Sequence, residues 1–214
     1  MYPQKWITNI MRVLTARYQD KAYSEKETPW RSLVFTVLSA RTRDEQTEVV
    51  YQKLIKNYPT PHTMALASYI TLAGQIKTIG LYRNKAKNLV LLARALVENH
   101  GGRVPNDFDA LLALPGVGRK TANCVMVYAF RKPAMCVDTH VHRVTNRLGW
   151  VRQSTPEKTE QALRVVVPKR LWLHLNRVMV QFGRTICVAQ KPKCWICPVR
   201  KWCKYPKKNL NYTS

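Results

Sequence analysis

A lysine that directly follows a glycine turn is the first feature of this sequence able to do chemistry. In "LPGVGRKTANCVMVYAF", residues 114–130, Lys120 stands at the start of an apolar helical pattern. At about 100° per residue, the apolar positions of that pattern lie opposite Lys120, so its side chain is expected to point away from the core. A helix N-terminus, the adjacent Arg119 and a strongly cationic protein all disfavour the ammonium form. Lys120 is therefore a candidate amine nucleophile able to form a Schiff base, and an ordinary exposed lysine is the alternative.

The turn before Lys120 predicts an anion site. Gly116 and Gly118 can reverse the chain sharply and let a ligand approach the backbone closely. The unpaired amides of the following helical turn would then face an anion, and a nucleic-acid phosphate is the anion to expect on a basic protein. The candidate contacts are Gly116, Gly118, Arg119 and Thr121. A purely structural turn between two helices is the alternative.

Asp138, in "AMCVDTHVHR", is the second candidate catalytic residue. The pattern predicts that it caps the N-terminus of the next helix. A carboxylate near a deprotonated lysine can also accept protons or stabilise positive charge at a reacting carbon. The alternatives are a structural cap for Asp138 and, for the neighbouring His140, either a DNA contact or a structural hydrogen bond.

Four cysteines near the C-terminus have the spacing of a metal site. They follow a Cys-x6-Cys-x2-Cys-x5-Cys pattern: Cys187, Cys194, Cys197 and Cys203. Structural zinc sites mostly use two separated Cys-x2-Cys pairs, whereas this compact layout favours a [4Fe–4S] cluster. Metal bonds would stiffen the loop and hold its cations outward against phosphates, so Arg184, Lys191 and Lys193 are candidate DNA contacts. An electron-transfer role is the alternative.

The charge of the chain points to a polyanionic partner. The 214 residues include 36 Lys and Arg against 12 Asp and Glu, which gives a formal charge of +24. Nucleic acid is the first expectation and an anionic membrane surface the second. No stretch approaches the roughly 18 consecutive apolar residues of a membrane span, and the N-terminus lacks the pattern of a signal peptide. We therefore expect an intracellular protein with no membrane association.

The elements that must position these residues are helices nearly throughout. Apolar positions recur at helical spacing, Pro or Thr precedes several runs, and "ENHGG" is a helix stop. In "RDEQTEVVYQKLIKNYP" the pattern predicts one apolar face with Val49, Val50 and Leu54. The segment "NDFDALLAL" is a short helix capped by Asn106 or Asp107. No run alternates with a period of two, so the fold class is all-α.

With these motifs in this order, the chain resembles the endonuclease III family of base-excision DNA glycosylases. The matching segments are "LPGVGRKTAN", the helix–hairpin–helix; "VDTHVHRVTNRLG", the loop with the family aspartate; and the four-cysteine run. The resemblance implies two helical domains with DNA across the cleft between them. The first would span residues 22–132, with the hairpin at about 107–130. The second would be discontinuous, 1–21 plus 133–214, and would hold a [4Fe–4S] cluster.

The resemblance also implies an activity. It is that of a bifunctional DNA glycosylase and abasic-site lyase, acting as a monomer on double-stranded DNA with damaged pyrimidines or abasic sites. Lys120 would attack C1′ of a flipped nucleotide, and β-elimination would cut the strand. Asp138 would stabilise positive charge at C1′. In mismatch glycosylases of the family the position of Lys120 is not a lysine, so the strand-cleaving branch fits better.

Two further residues are assigned by the resemblance. Many family members have Gln where "VLSARTRDE" has Arg41, the position thought to fill the space left by the flipped nucleotide. Arg has more donors and a fixed charge, so the preference for the opposite base is expected to differ. Leu81, at the tip of "IGLYR", is similar to the wedge that enters the base stack, with hairpin packing as its alternative.

Three other functions stay open from the sequence. The chain could be a non-catalytic helix–hairpin–helix DNA-binding module, in which Lys120 only contacts phosphate. It could be a mismatch-directed pyrimidine glycosylase. It could also be an iron–sulfur redox or sensor protein whose positive charge is incidental.

Overall fold

The computed structural model describes residues 3–18, 28–40, 42 and 44–211, with the side chains of residues 44 and 45 left undescribed. All regular elements in that part of the chain are helices, which confirms the all-α prediction. The chain divides into two compact units, one formed by Met1–Ala22 together with Lys132–Ser214 and the other by Tyr23–Arg131. No helix among the described residues is both long enough and apolar enough to cross a lipid bilayer.

Seven helices occur among the described residues of the unit formed by Tyr23–Arg131. They are α2 (Pro29–Ser39), α3 (Asp44–Asn57), α4 (Pro61–Ala65), α5 (Tyr69–Gln75), α6 (Tyr82–His100), α7 (Phe108–Leu112) and α8 (Arg119–Tyr128). The longest of them, α6, packs against α2, α4 and α5, while α8 packs against α2 and α7. This arrangement places the hairpin between α7 and α8 on a framework of buried helices.

Local sequence explains where these helices begin and end. Thr28 caps α2 by accepting a hydrogen bond from the backbone N–H of Arg31 at 3.3 Å, and Pro29 is the first helical residue. Gly101 ends α6 in the left-handed conformation, with φ +57°. On α3, Val50 and Leu54 are buried as predicted, but Val49 is 61% exposed. The prediction for Val49 was wrong because a residue next to Val50 is rotated by about 100° around the helix and faces solvent.

The other unit joins the N-terminal helix to the C-terminal third of the chain. Its helices are α1 (Gln4–Arg17), α9 (Thr139–Leu148), α10 (Pro156–Val166) and α11 (Trp172–Thr185). α11 packs against α1 and α9. Its core includes the fully buried Ile7, Ile10, Val141, Leu163 and Met179. Three cysteines of the C-terminal run, together with Trp202, pack against this core, so the four-cysteine segment is anchored to the helices.

Candidate functional site

The helix–hairpin–helix is built on local capping. Asp107 begins α7, and its Oδ1 accepts hydrogen bonds from the backbone N–H groups of Asp109 at 3.0 Å and Ala110 at 2.9 Å. Of the two predicted caps, Asp107 is therefore the one observed. In the turn, the N–H of Val117 donates to the carbonyl oxygen of Leu114 at 3.1 Å, and both side chains are buried. The hairpin is thus fixed by its own hydrogen bonds and by packing beneath it.

The two glycines of the turn have different physical roles. Gly116 has φ +74°, and a Cβ added there would lie 2.7 Å from Cβ of Asn88. This position requires glycine both for its backbone conformation and for the space. Gly118 has φ −96°, which any residue adopts, and an added Cβ would meet nothing within 4 Å. Glycine at 118 is therefore not needed by the fold, and it keeps the backbone open to approach from outside.

Lys120 lies in the first turn of α8 and is half-buried. Ala122 and Val125 on the same helix have 0% exposure, but so does Val127, which lies on the same side as Lys120, so α8 is buried all round after its first residues. Gly118 has no side chain to cap α8, so the first N–H groups of this helix depend on other partners. Thr121 is only 7% exposed, so its side chain is not placed for a surface contact. The exposed Arg119 has its guanidinium carbon 5.3 Å from the centroid of the Phe108 ring.

Asp138 is the N-cap of α9, as the sequence predicts. Its Oδ1 accepts a hydrogen bond from the backbone N–H of Val141 at 2.8 Å, and the residue is half-buried. This bond fixes the orientation of the carboxylate and leaves its second oxygen for another partner. One turn later, Arg143 donates a hydrogen bond from Nη2 to Nδ1 of His140 at 3.1 Å. His140 therefore makes the structural hydrogen bond that was one of its two predicted roles.

The four cysteines of the C-terminal run share one pocket. It is lined by Cys187, Cys194, Cys197 and Cys203 together with apolar residues that include Phe182 and Ile186. Burial raises the pKa of the Cys197 thiol to about 11 and also raises the pKa values of Cys187 and Cys203. Four partly buried thiolates require a positively charged partner, and this all-thiolate donor set around an apolar pocket fits a [4Fe–4S] cluster.

Two arginines of α9 hold the first part of the segment 187–203, which we call the four-cysteine loop. Arg147 donates from Nη1 to the carbonyl oxygen of Val188 at 2.6 Å and from Nη2 to that of Ala189 at 2.7 Å. Its Nη1 also lies 3.7 Å from Sγ of Cys187. Arg143 donates to the carbonyl oxygens of Gly183 at 2.9 Å and Cys187 at 3.2 Å. The helix α9, which Asp138 caps, is therefore bonded to the four-cysteine loop.

The remaining predicted contacts lie at the surface of their units. Arg184, Lys191 and Lys193 are all exposed, the last two within the four-cysteine loop. Leu81 is 54% exposed and has φ +58°, an unusual backbone conformation for a leucine. Arg41 lies outside the described residues.

Sequence reasoning missed three residues that organise the site. Arg143 and Arg147 are four residues apart and so lie on one face of α9, a signal that "HRVTNR" contains but that does not identify their partner. Lys85 is only 5% exposed, and its position four residues before Leu89 places it on the buried stripe of α6. A lysine at an apolar position of a helix is the signal that could have identified it.

Comparison with known protein families agrees with this architecture. Residues 34–169 match the model of the HhH-GPD superfamily base excision DNA repair proteins. Residues 187–203, from the first of the four cysteines to the last, match the iron–sulfur binding domain of endonuclease III. The fold and the site therefore define a base-excision DNA repair protein with an iron–sulfur centre.

Individual similar proteins indicate which family within this class the chain belongs to. Endonuclease III of Thermotoga maritima is 52% identical over 183 residues, which are 85% of this chain and 86% of the relative. A solved structure of a trapped endonuclease III–DNA covalent intermediate is 38% identical, with a TM-score of 0.88, and the match covers 95% of this chain and 97% of that one. A thermostable thymine-DNA glycosylase is 30% identical, with a TM-score of 0.82 and coverage of 94% of both chains.

The chain belongs to the endonuclease III family. It is accordingly an enzyme of base excision repair, a DNA glycosylase and abasic-site lyase, as the sequence predicts. The spacing of the four cysteines favoured a [4Fe–4S] cluster over a zinc site without deciding between them. The comparison decides for the cluster, because the matching C-terminal domain is that of the [4Fe–4S] cluster.

Proposed function

We propose that the protein removes oxidised pyrimidines from double-stranded DNA and cuts the strand at the resulting abasic site, with Lys120 as the nucleophile. The observation that carries this proposal is the position of Lys120, which is half-buried in the first turn of α8 immediately after the glycine hairpin. A helix N-terminus attracts phosphate, so a nucleotide bound through its phosphates at this hairpin brings its sugar near the Lys120 amine. Lys120 is thereby distinguished from the other lysines of this basic chain.

The chemistry follows from an amine attacking an aldehyde-level carbon. The uncharged Lys120 Nζ bonds to C1′ of the flipped nucleotide, and the bond from C1′ to the base breaks with its electron pair leaving on the base. Ring opening gives an iminium between Nζ and C1′. Loss of a proton from C2′ then expels the 3′ phosphate, and water releases the lysine. Lys120 thus serves both the glycosylase and the lyase reactions.

Asp138 is proposed to stabilise the positive charge that develops at C1′ and to assist the proton transfers. Its Oδ1 is bonded to the N–H of Val141, so the carboxylate does not have to reorganise when charge appears. A carboxylate already oriented by the protein is worth more in such a step than a mobile one. The N-cap and the catalytic role are therefore compatible in one residue.

DNA binding is proposed to use the hairpin, Leu81 and the cations of the four-cysteine loop. The open backbone at Gly118 and the exposed Arg119 would contact phosphates, and Leu81 would enter the base stack as the nucleotide leaves it. Lys191 and Lys193 would bind the backbone further along. Cys187, Cys194, Cys197 and Cys203 would hold the [4Fe–4S] cluster, and its bonds to the four thiolates would stiffen that loop. We further propose that the protein acts as a monomer on genomic DNA inside the cell.

Borohydride trapping tests the nucleophile. On a duplex with thymine glycol or an abasic site, the wild-type protein is expected to give a covalent product, because borohydride reduces the iminium to a stable amine. Lys120→Ala is expected to abolish this product while leaving DNA binding within about threefold. Lys158→Ala is the matched control, since Lys158 is an exposed lysine in the first turn of α10. Strand cleavage that persists in Lys120→Ala would remove the proposed nucleophile.

The same assay separates the other functions. Asp138→Asn is expected to slow single-turnover base excision by about a hundredfold or more while keeping binding, because it removes the charge and not the cap. Binding without any excision or trapping would indicate the non-catalytic module. Excision of mismatched thymine without trapping would indicate a mismatch-directed glycosylase.

A further inference from the structure

A buried lysine occupies the second turn of α6, away from the proposed nucleophile. Lys85 is 5% exposed, although a lysine is rarely buried in a folded protein. Its Nζ donates hydrogen bonds to the carbonyl oxygen of Leu38 at 2.7 Å and to Oγ1 of Thr42 at 2.6 Å. Burial lowers the pKa of Lys85 to about 8. Burying an ammonium group is costly, so these two short hydrogen bonds indicate a specific role.

The two partners of the Lys85 amine lie at the C-terminal end of α2 and just beyond it. Leu38 supplies one of the last carbonyls of that helix, which have no partner within the helix and favour a cation. The N–H of Thr42 donates to the carbonyl oxygen of Ser39 at 3.2 Å, and its Oγ1 lies 3.4 Å from that of Ala40. Lys85 therefore bonds both to the end of α2 and to Thr42, whose own hydrogen bonds run back to Ser39 and Ala40.

The backbone of Lys85 contacts a second exposed feature. Its N–H donates to the carbonyl oxygen of Leu81 at 3.0 Å, which is the first hydrogen bond of α6. Leu81 is 54% exposed, and its left-handed conformation costs about 1–2 kcal/mol for a residue with a Cβ. Strain and apolar exposure at one residue are typical of a functional position, and the surrounding structure must hold it there.

We propose that Lys85 is a positioning residue, whose buried amine ties the N-terminal turn of α6, and with it the exposed Leu81, to Leu38 at the end of α2 and to Thr42. The inference rests on the proposed function, in which Leu81 enters the base stack. The Lys85 amine thereby fixes the place from which Leu81 acts. Lys85 affects nucleotide extrusion, and not the bond-breaking steps at C1′.

Two variants remove the link from its two ends. Lys85→Met keeps the length and apolar stem of the side chain but has no donor, and Thr42→Val replaces the hydroxyl with a methyl group of similar size. The second variant leaves Lys85 and Leu81 intact, so it tests the proposal even if Lys85→Met folds poorly. Lys87→Met is the matched control, because Lys87 is exposed on the same helix. Thermal unfolding of each variant shows whether the fold is retained.

The experiment compares a step that needs extrusion of a paired nucleotide with one that needs it less. Single-turnover excision of thymine glycol is measured beside cleavage of a preformed abasic site. We expect Lys85→Met and Thr42→Val to slow excision by about tenfold or more, with abasic-site cleavage within about twofold of wild type. 2-Aminopurine opposite the lesion should show less unstacking.

Equal losses in both reactions would overturn the proposal. Leu81→Ala distinguishes this failure from a failure of the proposed function. If Leu81→Ala reduces unstacking and Lys85→Met does not, only the role of Lys85 is wrong. If Leu81→Ala leaves unstacking and excision unchanged, Leu81 is not a wedge, and the inference fails together with that part of the proposed function.

Discussion

Nη1 of Arg147 lies 2.6 Å from the carbonyl oxygen of Val188, so a side chain of α9 is bonded to the residue that follows Cys187, the first cysteine of the four-cysteine loop. Its guanidinium also stacks on the ring of Tyr205, with 4.7 Å between the guanidinium carbon and the ring centroid. Asp138 caps the other end of the same helix. The proposed charge-stabilising carboxylate and the four-cysteine loop are therefore connected through one helix, α9, from its N-cap Asp138 to Arg147 in its last turn.

The first prediction concerns this link. Arg147→Met is expected to lose the cluster about ten- to a hundredfold faster under mild oxidation, because it removes two hydrogen bonds from a charged donor to the backbone of the four-cysteine loop. Iron content and the visible absorbance of the cluster measure the loss. Arg152→Met is the control, since Arg152 is exposed and lies beyond the C-terminus of α9. Equal cluster retention in both variants would show that the Arg147 bonds do not stabilise the loop.

The second prediction separates the two hairpin glycines. Gly116→Ala is expected to lower the free energy of unfolding by about 1–3 kcal/mol, because φ is +74° and the new Cβ would meet Cβ of Asn88. Gly118→Ala is expected to cost less stability, about 1 kcal/mol or less because alanine is a poorer N-cap than glycine, but to weaken DNA binding, because its Cβ enters the open space where a phosphate would approach. Denaturant unfolding and fluorescence anisotropy measure the two effects. Unweakened binding by Gly118→Ala would mean that the hairpin backbone is not a phosphate site.

The third prediction concerns the cations of the four-cysteine loop. Affinity for DNA is expected to fall with salt, and replacing Lys191 and Lys193 by Ala should reduce the slope of log K against log salt by about 2 if each contacts one phosphate. The control is a double replacement of Lys53 and Lys56 by Ala. Both residues are exposed on α3, and the replacement removes the same charge. Similar slopes for the two double variants would assign the effect to net charge and not to specific contacts.

The features that the sequence predicts well depend on residues that are close together in the chain. Asp107 and Asp138 were expected to cap helices and do, since a cap depends on backbone N–H groups two or three residues away. The four cysteines were expected to share one site, and they line one pocket, because their spacing confines them to one loop. The comparisons confirm the [4Fe–4S] cluster and the DNA repair activity expected from the motifs.

What the sequence did not predict depends on partners far along the chain. Lys85 bonds to residues more than 40 positions earlier, and Arg147 bonds to carbonyls about 40 positions later. Charged residues are normally assigned to the surface, so their burial is determined only by tertiary packing. Val49 is the opposite case, an apolar residue that was expected to be buried and is exposed. A residue at the edge of a helical stripe is exposed when no neighbouring helix covers it.

The fourth prediction uses the pKa of Lys85. Burial lowers this pKa to about 8 from an ordinary value of 10.5, so between these pH values the unfolded chain binds more protons at Lys85 than the folded protein does. The contribution of Lys85 to the free energy of unfolding therefore rises with pH across that window and is constant below it.

The measurement is denaturant unfolding of wild type and Lys85→Met at several pH values. All other titrating groups are common to the two proteins, so their effects largely cancel in the difference. We expect wild type to gain stability relative to Lys85→Met as the pH rises above about 8. A difference that stays constant or shrinks over this range would show that the folded protein does not disfavour the Lys85 ammonium.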